Sequence, residues 1–207
     1  MVKIVKPLYR HDKRFMTIGC VANIKGDFKL MIKTERLILR QWEDEDFYPF
    51  SEMCRDKDVM AFFPKLLTVE ESYSMGRKIQ SLIAERGWGF WAVEIPGESK
   101  FAGFVGLHIP KDTMPFSPCV EVGWRLAKRY WGVGYATEAA NASLHYAFTQ
   151  LGLSEVVSFT TVNNTRSQEV MNRIGMSYAG RFEHPDIEPE DPLCEHVLYK
   201  IGHRVKV

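Results

Sequence analysis

The chain has 207 residues, 45% of them hydrophobic and 13% aromatic, which is enough apolar material for one well-buried core. Its 27 basic and 26 acidic residues leave a formal net charge of +1, so nothing in the charge points to nucleic acid or an acidic membrane surface. No window is long or apolar enough to span a bilayer, and the basic N-terminus lacks the uninterrupted apolar stretch of a secretory signal. Cys20, Cys54, Cys119 and Cys194 are scattered, with no C-x-x-C pair and no histidine at metal spacing. Neither a metal site nor a disulfide framework is expected, and a reducing, cytoplasmic setting is.

Residues 1–30 read as an N-terminal extension, expected to be poorly ordered, with a strand fragment at 2–5 and a polar run at 9–14. An extra strand on the sheet is the alternative. Met31 would open a complete domain running to residue 207. Residues 36–40 read as a short strand. Residues 43–54 start acidic and carry Phe47, Phe50 and Met53 at helical spacing. A loop with Phe62, Phe63 and Pro64 follows. Thr68 and Glu71 make a capping box that opens a second helix, and Gly87 ends it.

Residues 88–94, 101–108 and 120–126 then read as strands separated by turn chemistry at Pro96-Gly97 and between Pro110 and Pro118. The clearest helix is 134–151, with Ala136, Ala139, Ala140, Ser143, Leu144, Ala147, Phe148 and Leu151 on one face and Gly152 as its stop. A buried strand at 156–161 precedes a short helix at 165–174, with Thr165 and Gln168 as a capping box and Gly175 at its end. Two strands, 176–183 and 195–201, close the chain. The pattern predicts a single α/β domain with a mixed central sheet of about seven strands and about four flanking helices.

The chemistry concentrates after Leu126. A strand ends, Gly132 and Gly134 follow, and a long helix begins at once. The first turn of a helix carries unpaired N–H groups and a partial positive charge, and glycine lets a phosphate approach that backbone. Two glycines alone also suit an ordinary tight turn. A dinucleotide fold fits poorly, because the third glycine position holds Thr137, and a Walker loop is excluded by the absence of Gly-Lys-Ser/Thr.

Arg129-x-x-Gly132-x-Gly134-Tyr135-Ala136 resembles the R/Q-x-x-G-x-G/A signature of the GNAT superfamily of N-acetyltransferases. The chain is similar to the RimJ/RimL-like branch in several further places. These are the run Thr34-Glu35-Arg36-Leu37-Ile38-Leu39-Arg40, then Glu121-Val122-Gly123-Trp124, and then Trp131 through Thr137-Glu138-Ala139. Asn164-x-x-Ser167 with Ile174-Gly175-Met176, and His196-Val197-Leu198-Tyr199, complete the series. The resemblance runs from about residue 32 to 203 in the expected order. It implies the GNAT fold with a splayed central strand pair, and acetyl-CoA as co-substrate with no metal. It places the pyrophosphate on the amides of Val133, Gly134, Tyr135, Ala136 and Thr137, beside Gly132. Pantetheine would run along the 121–126 strand past Trp124 and Leu126. Arg129 and Lys128 would add charge near the phosphates, or Lys128 is a solvated surface cation.

Acetyl transfer requires a neutral amine. Deprotonating a lysine of pKa about 10.4 at pH 7 costs roughly 4.6 kcal/mol, an α-amine near 7.8 only about 1 kcal/mol. Glu121 shares a strand face with Gly123 and Arg125 and is the candidate general base; its alternative role is an ion pair. Many GNAT enzymes place a general-acid tyrosine seven residues after the helix-opening asparagine, where this chain has Met171. The narrower branch suggests Ser167 instead, whose alternative is a local backbone bond. Asn164 is a candidate pantetheine contact or a helix cap. Phe62, Phe63, Trp88 and His184 are candidates for the acceptor side; Phe62, Phe63 and Trp88 also read as core, and His184 with His196 as satisfied hydrogen-bonding histidine.

The expected activity is acetyl transfer from acetyl-CoA to a primary amine, on a protein N-terminus or a small molecule, in a ternary complex of a monomer or homodimer. A non-catalytic CoA-binding sensor is the alternative, and another acyl group or an antibiotic acceptor a third. The acidic segment 183–195 suggests cationic acceptors.

Overall fold

Alternating apolar residues build a sheet in which every neighbouring pair of strands is antiparallel except one. The computed structural model describes residues 16–22 and 28–202. Its strands are β1 Thr17–Ala22, β2 Phe28–Lys33, β3 Ile38–Arg40, β4 Phe90–Ile95, β5 Ser99–His108, β6 Glu121–Leu126, β7 Glu155–Thr161, β8 Ser177–Glu183 and β9 Glu195–Gly202. Its helices are α1 Phe47–Arg55, α2 Val69–Arg86, α3 Tyr135–Thr149 and α4 Thr165–Arg173. The nine strands lie in the order β1-β2-β3-β4-β5-β6-β7-β9-β8, and only β6 and β7 pair in parallel.

Among the described residues the sheet has nine strands where the alternation predicts about seven. The two additional strands form an antiparallel hairpin at one edge, in register from Thr17↔Lys33 to Ala22↔Phe28. The predicted boundary between residues 30 and 31 therefore falls inside β2. That strand continues onto β3 through Ile32↔Leu39, and both of these side chains are fully buried. The strand predicted at 36–40 starts only at Ile38, because Thr34 to Leu37 close a turn through Thr34 N–H to the Leu37 carbonyl at 2.9 Å. The readings at residues 2–5 and 9–14 lie outside the described residues.

Adjacent residues of a strand face opposite sides, and β4 shows what each side holds. Phe90 meets Phe104, which packs edge-on against Phe50 of α1 and against Trp42. Trp91 packs edge-on against Tyr146 of α3 at 5.3 Å. Helices α1 and α2 thus cover one face, and α3, with α4 beside it over β7, covers the other. The opening of α2 is a reciprocal capping box, with Glu71 N–H on Thr68 Oγ1 at 3.1 Å and Thr68 N–H on Glu71 Oε2 at 2.8 Å. Gly87 closes it in the left-handed region at φ 79°. Arg40 joins β3 to the neighbouring elements, paired with Asp46 at 2.7 and 2.9 Å and with Glu94 at 2.9 Å. Among the described residues no helix is long and apolar enough to cross a membrane.

Candidate active site

Strands β6 and β7 share a single registered pair, Glu121↔Val157, supported by Val157 N–H on the Val120 carbonyl at 2.9 Å. Beyond it they diverge, so the edge of β6 from Val122 to Leu126 carries no ladder partner on the β7 side. Past that pair β6 leads through the glycine loop to α3, and β7 leads to α4. Unpaired strand backbone of this kind can receive an extended amide-bearing chain.

The glycine loop stands at the open end. Gly132 and Gly134 have φ of 79° and 88°, the left-handed region that glycine enters without a steric penalty. Gly134 is the N-cap of α3 and makes no side-chain cap. The first intrahelical bond is Glu138 N–H to the Gly134 carbonyl, which leaves the amides of Tyr135, Ala136 and Thr137 without an intrahelical acceptor. A Cβ placed on Gly132 meets nothing within 4 Å, so the backbone is open there, while one on Gly134 would meet Arg36 Nη2 at 3.4 Å. These features suit a diphosphate.

The loop is held by residues that the sequence reading did not assign. Arg36 donates to the Val133 carbonyl at 2.9 Å and pairs with Glu138 in the first turn of α3 at 2.6 Å. Thr34 Oγ1 donates to the same carboxylate at 2.6 Å. Trp131 Nε1 donates to the Leu126 carbonyl at 2.8 Å, folding the loop back on the end of β6, and Trp124 packs at the margin of the core. Arg166 of α4 lies over the Trp131 ring at 4.9 Å and bridges the mouth of the splay. Lys128 pairs with Asp58 at 2.5 Å, so part of its charge is already answered, while Arg129 is exposed and stacks on Tyr130.

At the closed end of the splay stands Glu121. Its carboxylate lies 3.4 Å from a Cβ placed on Gly123, on the face that also holds Phe90. Although half-buried by surface, it sits in protein dense enough for desolvation to push its carboxyl up to about 8. His108 is its cross-strand partner in β5, stacked on Phe90 at 5.2 Å and held below the ordinary histidine value by burial. The sequence carries no signal for that pairing, which depends on sheet register.

Across the opening, Asn164 caps α4, taking the Ser167 N–H on Oδ1 at 3.3 Å. This corrects the predicted Thr165–Gln168 capping box; Gln168 instead donates to the Val162 carbonyl at 2.8 Å. Asn164 Nδ2 donates to Thr160 Oγ1 at 2.8 Å and to Ser167 Oγ at 3.1 Å. Both ends of the Asn164 amide are thus engaged within the chain, and Ser167 keeps its own hydroxyl hydrogen to give. Met171 is buried in the core.

Residues 36–177 match the family described as Acetyltransferase (GNAT) domain. The chain belongs to the GNAT acetyltransferases. It is similar to the uncharacterized N-acetyltransferase YnaD of Bacillus subtilis, 30% identical over 155 residues that cover 73% of this chain and 85% of that protein. Among solved structures it resembles the GNAT acetyltransferase of Bacillus anthracis, with a TM-score of 0.69 and 29% identity over 83% of this chain and 98% of that one. The ribosomal L7/L12 α-N-protein acetyltransferase RimL in complex with coenzyme A shares the fold at a TM-score of 0.64 and 16% identity, covering 81% of this chain and 94% of that one.

The residues predicted for the acceptor side separate into two groups in this acetyltransferase. Phe63, in the α1–α2 loop, stacks on the Arg125 guanidinium at 3.9 Å, with Phe62 half-buried beside it. Trp88 packs against the core just before β4. His184 belongs to a separate aromatic group on β7, β8 and β9, 5.0 Å from the His196 ring, with Phe159, Phe182 and Phe116 around them. Both histidines are held below their ordinary value by burial. His184 Nδ1 accepts the Asp186 N–H at 3.2 Å, and His196 Nδ1 faces the Cys194 carbonyl at 3.1 Å. An open concavity of about 490 Å³ beside them is lined by His184, Asp186, Ile187 and Glu188. It lies apart from the glycine loop. Among the described residues no cluster of three His, Cys, Asp or Glu side chains is placed to hold a metal ion.

Proposed function

We propose that this acetyltransferase moves the acetyl group of acetyl-CoA directly onto a primary amine, of a small molecule or a protein N-terminus, with both substrates bound at once. The observation that carries the reading is the splay between β6 and β7, with an uncapped helix start at its open end and a carboxyl group at its closed end.

The amides of Tyr135, Ala136 and Thr137, with the backbone of Gly132, Val133 and Gly134, would hold the pyrophosphate, and Arg129 and Arg166 would add charge. The unpaired edge of β6 around Trp124 and Leu126 would receive pantetheine. Bound acetyl-CoA supplies an electrophilic thioester carbonyl. The amine nitrogen forms the new C–N bond, the C–S bond breaks, and the amine proton passes to Glu121 directly or through one water. A carboxyl near 8 is matched to an α-amino group near 7.8, so that transfer is close to balanced in energy. Ser167, oriented by Asn164, donates its hydroxyl hydrogen to the departing sulfur.

Calorimetry with acetyl-CoA followed by thiol release on an amine panel tests this reading. Binding with thiol release is expected. Binding without release on any amine is the behaviour of a CoA sensor, and no binding of any CoA ester removes the whole assignment.

A further inference from the structure

Arg125 is a buried charge with no counter-ion among the described residues. Arg125 lies on β6, on the same face as Glu121 and Gly123, and is 8% exposed. Phe63 covers one side of its guanidinium at 3.9 Å, and Phe104 lies 5.4 Å away. These rings answer part of the charge, but the five N–H groups point outward in the plane of the guanidinium. In that plane Nη1 meets only the Cys54 sulfur, at 3.5 Å, a weak acceptor on a thiol that burial pushes up. Nε is buried with no partner at all. No carboxylate pairs with Arg125 among the described residues. Nε is therefore a buried donor without an acceptor, on the edge of the guanidinium away from the Nη1–Cys54 contact.

A buried guanidinium without an anion is costly, and an apolar side chain of the same size would fill the space at no such cost. The position beside the α1–α2 loop, on the face of β6 that also carries Glu121, says what could answer it. We propose that Arg125 receives a carboxylate carried by the acceptor, so that the amine acetylated by this protein belongs to an amino-acid-like small molecule. The inference rests on the acetyl-transfer reading. The planar fork fits the two oxygens of a carboxylate, and Phe63 roofs the bound group.

The experiment compares matched acceptors, L-amino acids against their amides, by thiol release with saturating acetyl-CoA, alongside calorimetry of the amino acids alone. The wild-type protein is expected to favour the acid over the amide in kcat/KM by roughly tenfold or more. Arg125→Met is expected to bring that ratio close to one, mainly through KM, with Arg125→Lys in between. Its Tm should be equal to or above that of the wild type, and its Kd for acetyl-CoA unchanged. Equal or better turnover of amides by the wild-type protein overturns the proposal, and needs no variant to fold. A raised Kd for acetyl-CoA in Arg125→Met overturns it too, by assigning the anion to the coenzyme's phosphates. Amino acids that bind through Arg125 without turnover sink acetyl transfer and leave the anion site standing; turnover without carboxylate preference does the reverse.

Discussion

Arg36 and Glu138 are 102 residues apart in sequence and joined three times: Arg36 Nε and Nη2 reach Glu138 Oε2 at 2.7 and 2.6 Å, and the Arg36 backbone N–H reaches Oε1 at 2.9 Å. The pair solves an electrostatic problem. An acidic residue in the first turn favours the helix, but a bare carboxylate there would repel the phosphates that the same turn is suited to bind. Arg36 neutralises it and at the same time holds the Val133 carbonyl. Arg36→Met should therefore weaken acetyl-CoA binding by about five- to tenfold, on the order of 1 to 1.4 kcal/mol. The Arg36→Met/Glu138→Gln double variant should recover part of that loss, because the uncovered carboxylate is gone. Calorimetric Kd values for the set decide it, and a double variant weaker than the single one would show that the pair acts only as a mechanical tether.

The pH dependence follows from Glu121. Burial disfavours its charged form and pushes its carboxyl up to about 8, so roughly a tenth is ionised at pH 7. If the carboxylate is the base, kcat at saturating amine, which is free of the unbound amine's own titration near 7.8, rises with unit slope up to about pH 8 and then levels. Glu121→Gln should lower the rate and abolish that limb. The same shift bears on stability. The folded chain binds this proton more tightly than the unfolded chain does. Its contribution is therefore complete below about pH 4.5 and is lost as pH rises through about 8. Relative to Glu121→Gln, the wild-type protein should lose Tm between these limits. A pH–rate profile shared by both proteins would remove Glu121 from the proton path and leave His108, its cross-strand partner, as the group to test next.

What could be read along the chain was what local chemistry fixes. The Thr68–Glu71 capping box, the Gly87 stop and the apolar face of α3 all depend on residues within a few positions of each other. The glycine loop is local in the same sense. What could not be read depends on pairing at a distance. β1 and β2 have too little contrast with their flanks to stand out until they close against each other on the sheet edge. Arg36 with Glu138, and His108 with Glu121, meet through strand register and helix placement, which no periodicity encodes. Alternation puts Arg125 on the Glu121 face, but that it is buried without a carboxylate emerges only when Phe63 and Cys54 come over it from α1 and its following loop.

Asp46 tests the scaffold apart from the chemistry. It is 1% exposed, accepts two Arg40 N–H groups, and also takes the Glu43 N–H at 2.8 Å. Asp46→Asn keeps the volume but removes the charge opposite a guanidinium held at the end of β3. Removing one partner of a buried pair leaves the other uncompensated, at a cost of about 3 kcal/mol, moderated here because Glu94 still faces Arg40. Urea unfolding should show a lower midpoint with the same slope, and Kd for acetyl-CoA should be unchanged in the folded fraction.

Ser167 separates a catalytic from a structural hydroxyl. Its oxygen accepts from Asn164 Nδ2 at 3.1 Å, while its backbone N–H is what the Asn164 cap uses. Ser167→Ala therefore leaves the cap bond in place and removes only the hydroxyl, so helix α4 should keep its stability within about 0.5 kcal/mol. Stabilising a departing thiolate of pKa near 8.5 takes roughly 2 kcal/mol at most at pH 7. The single-turnover rate of Ser167→Ala should then fall by no more than about thirtyfold, with acetyl-CoA affinity nearly unchanged. Asn164→Ala should lose as much rate and, in addition, about 1 kcal/mol of stability through the missing cap. A Ser167→Ala protein with the full chemical rate would leave the hydroxyl no part in the reaction, and sulfur departure would proceed without a donor from α4.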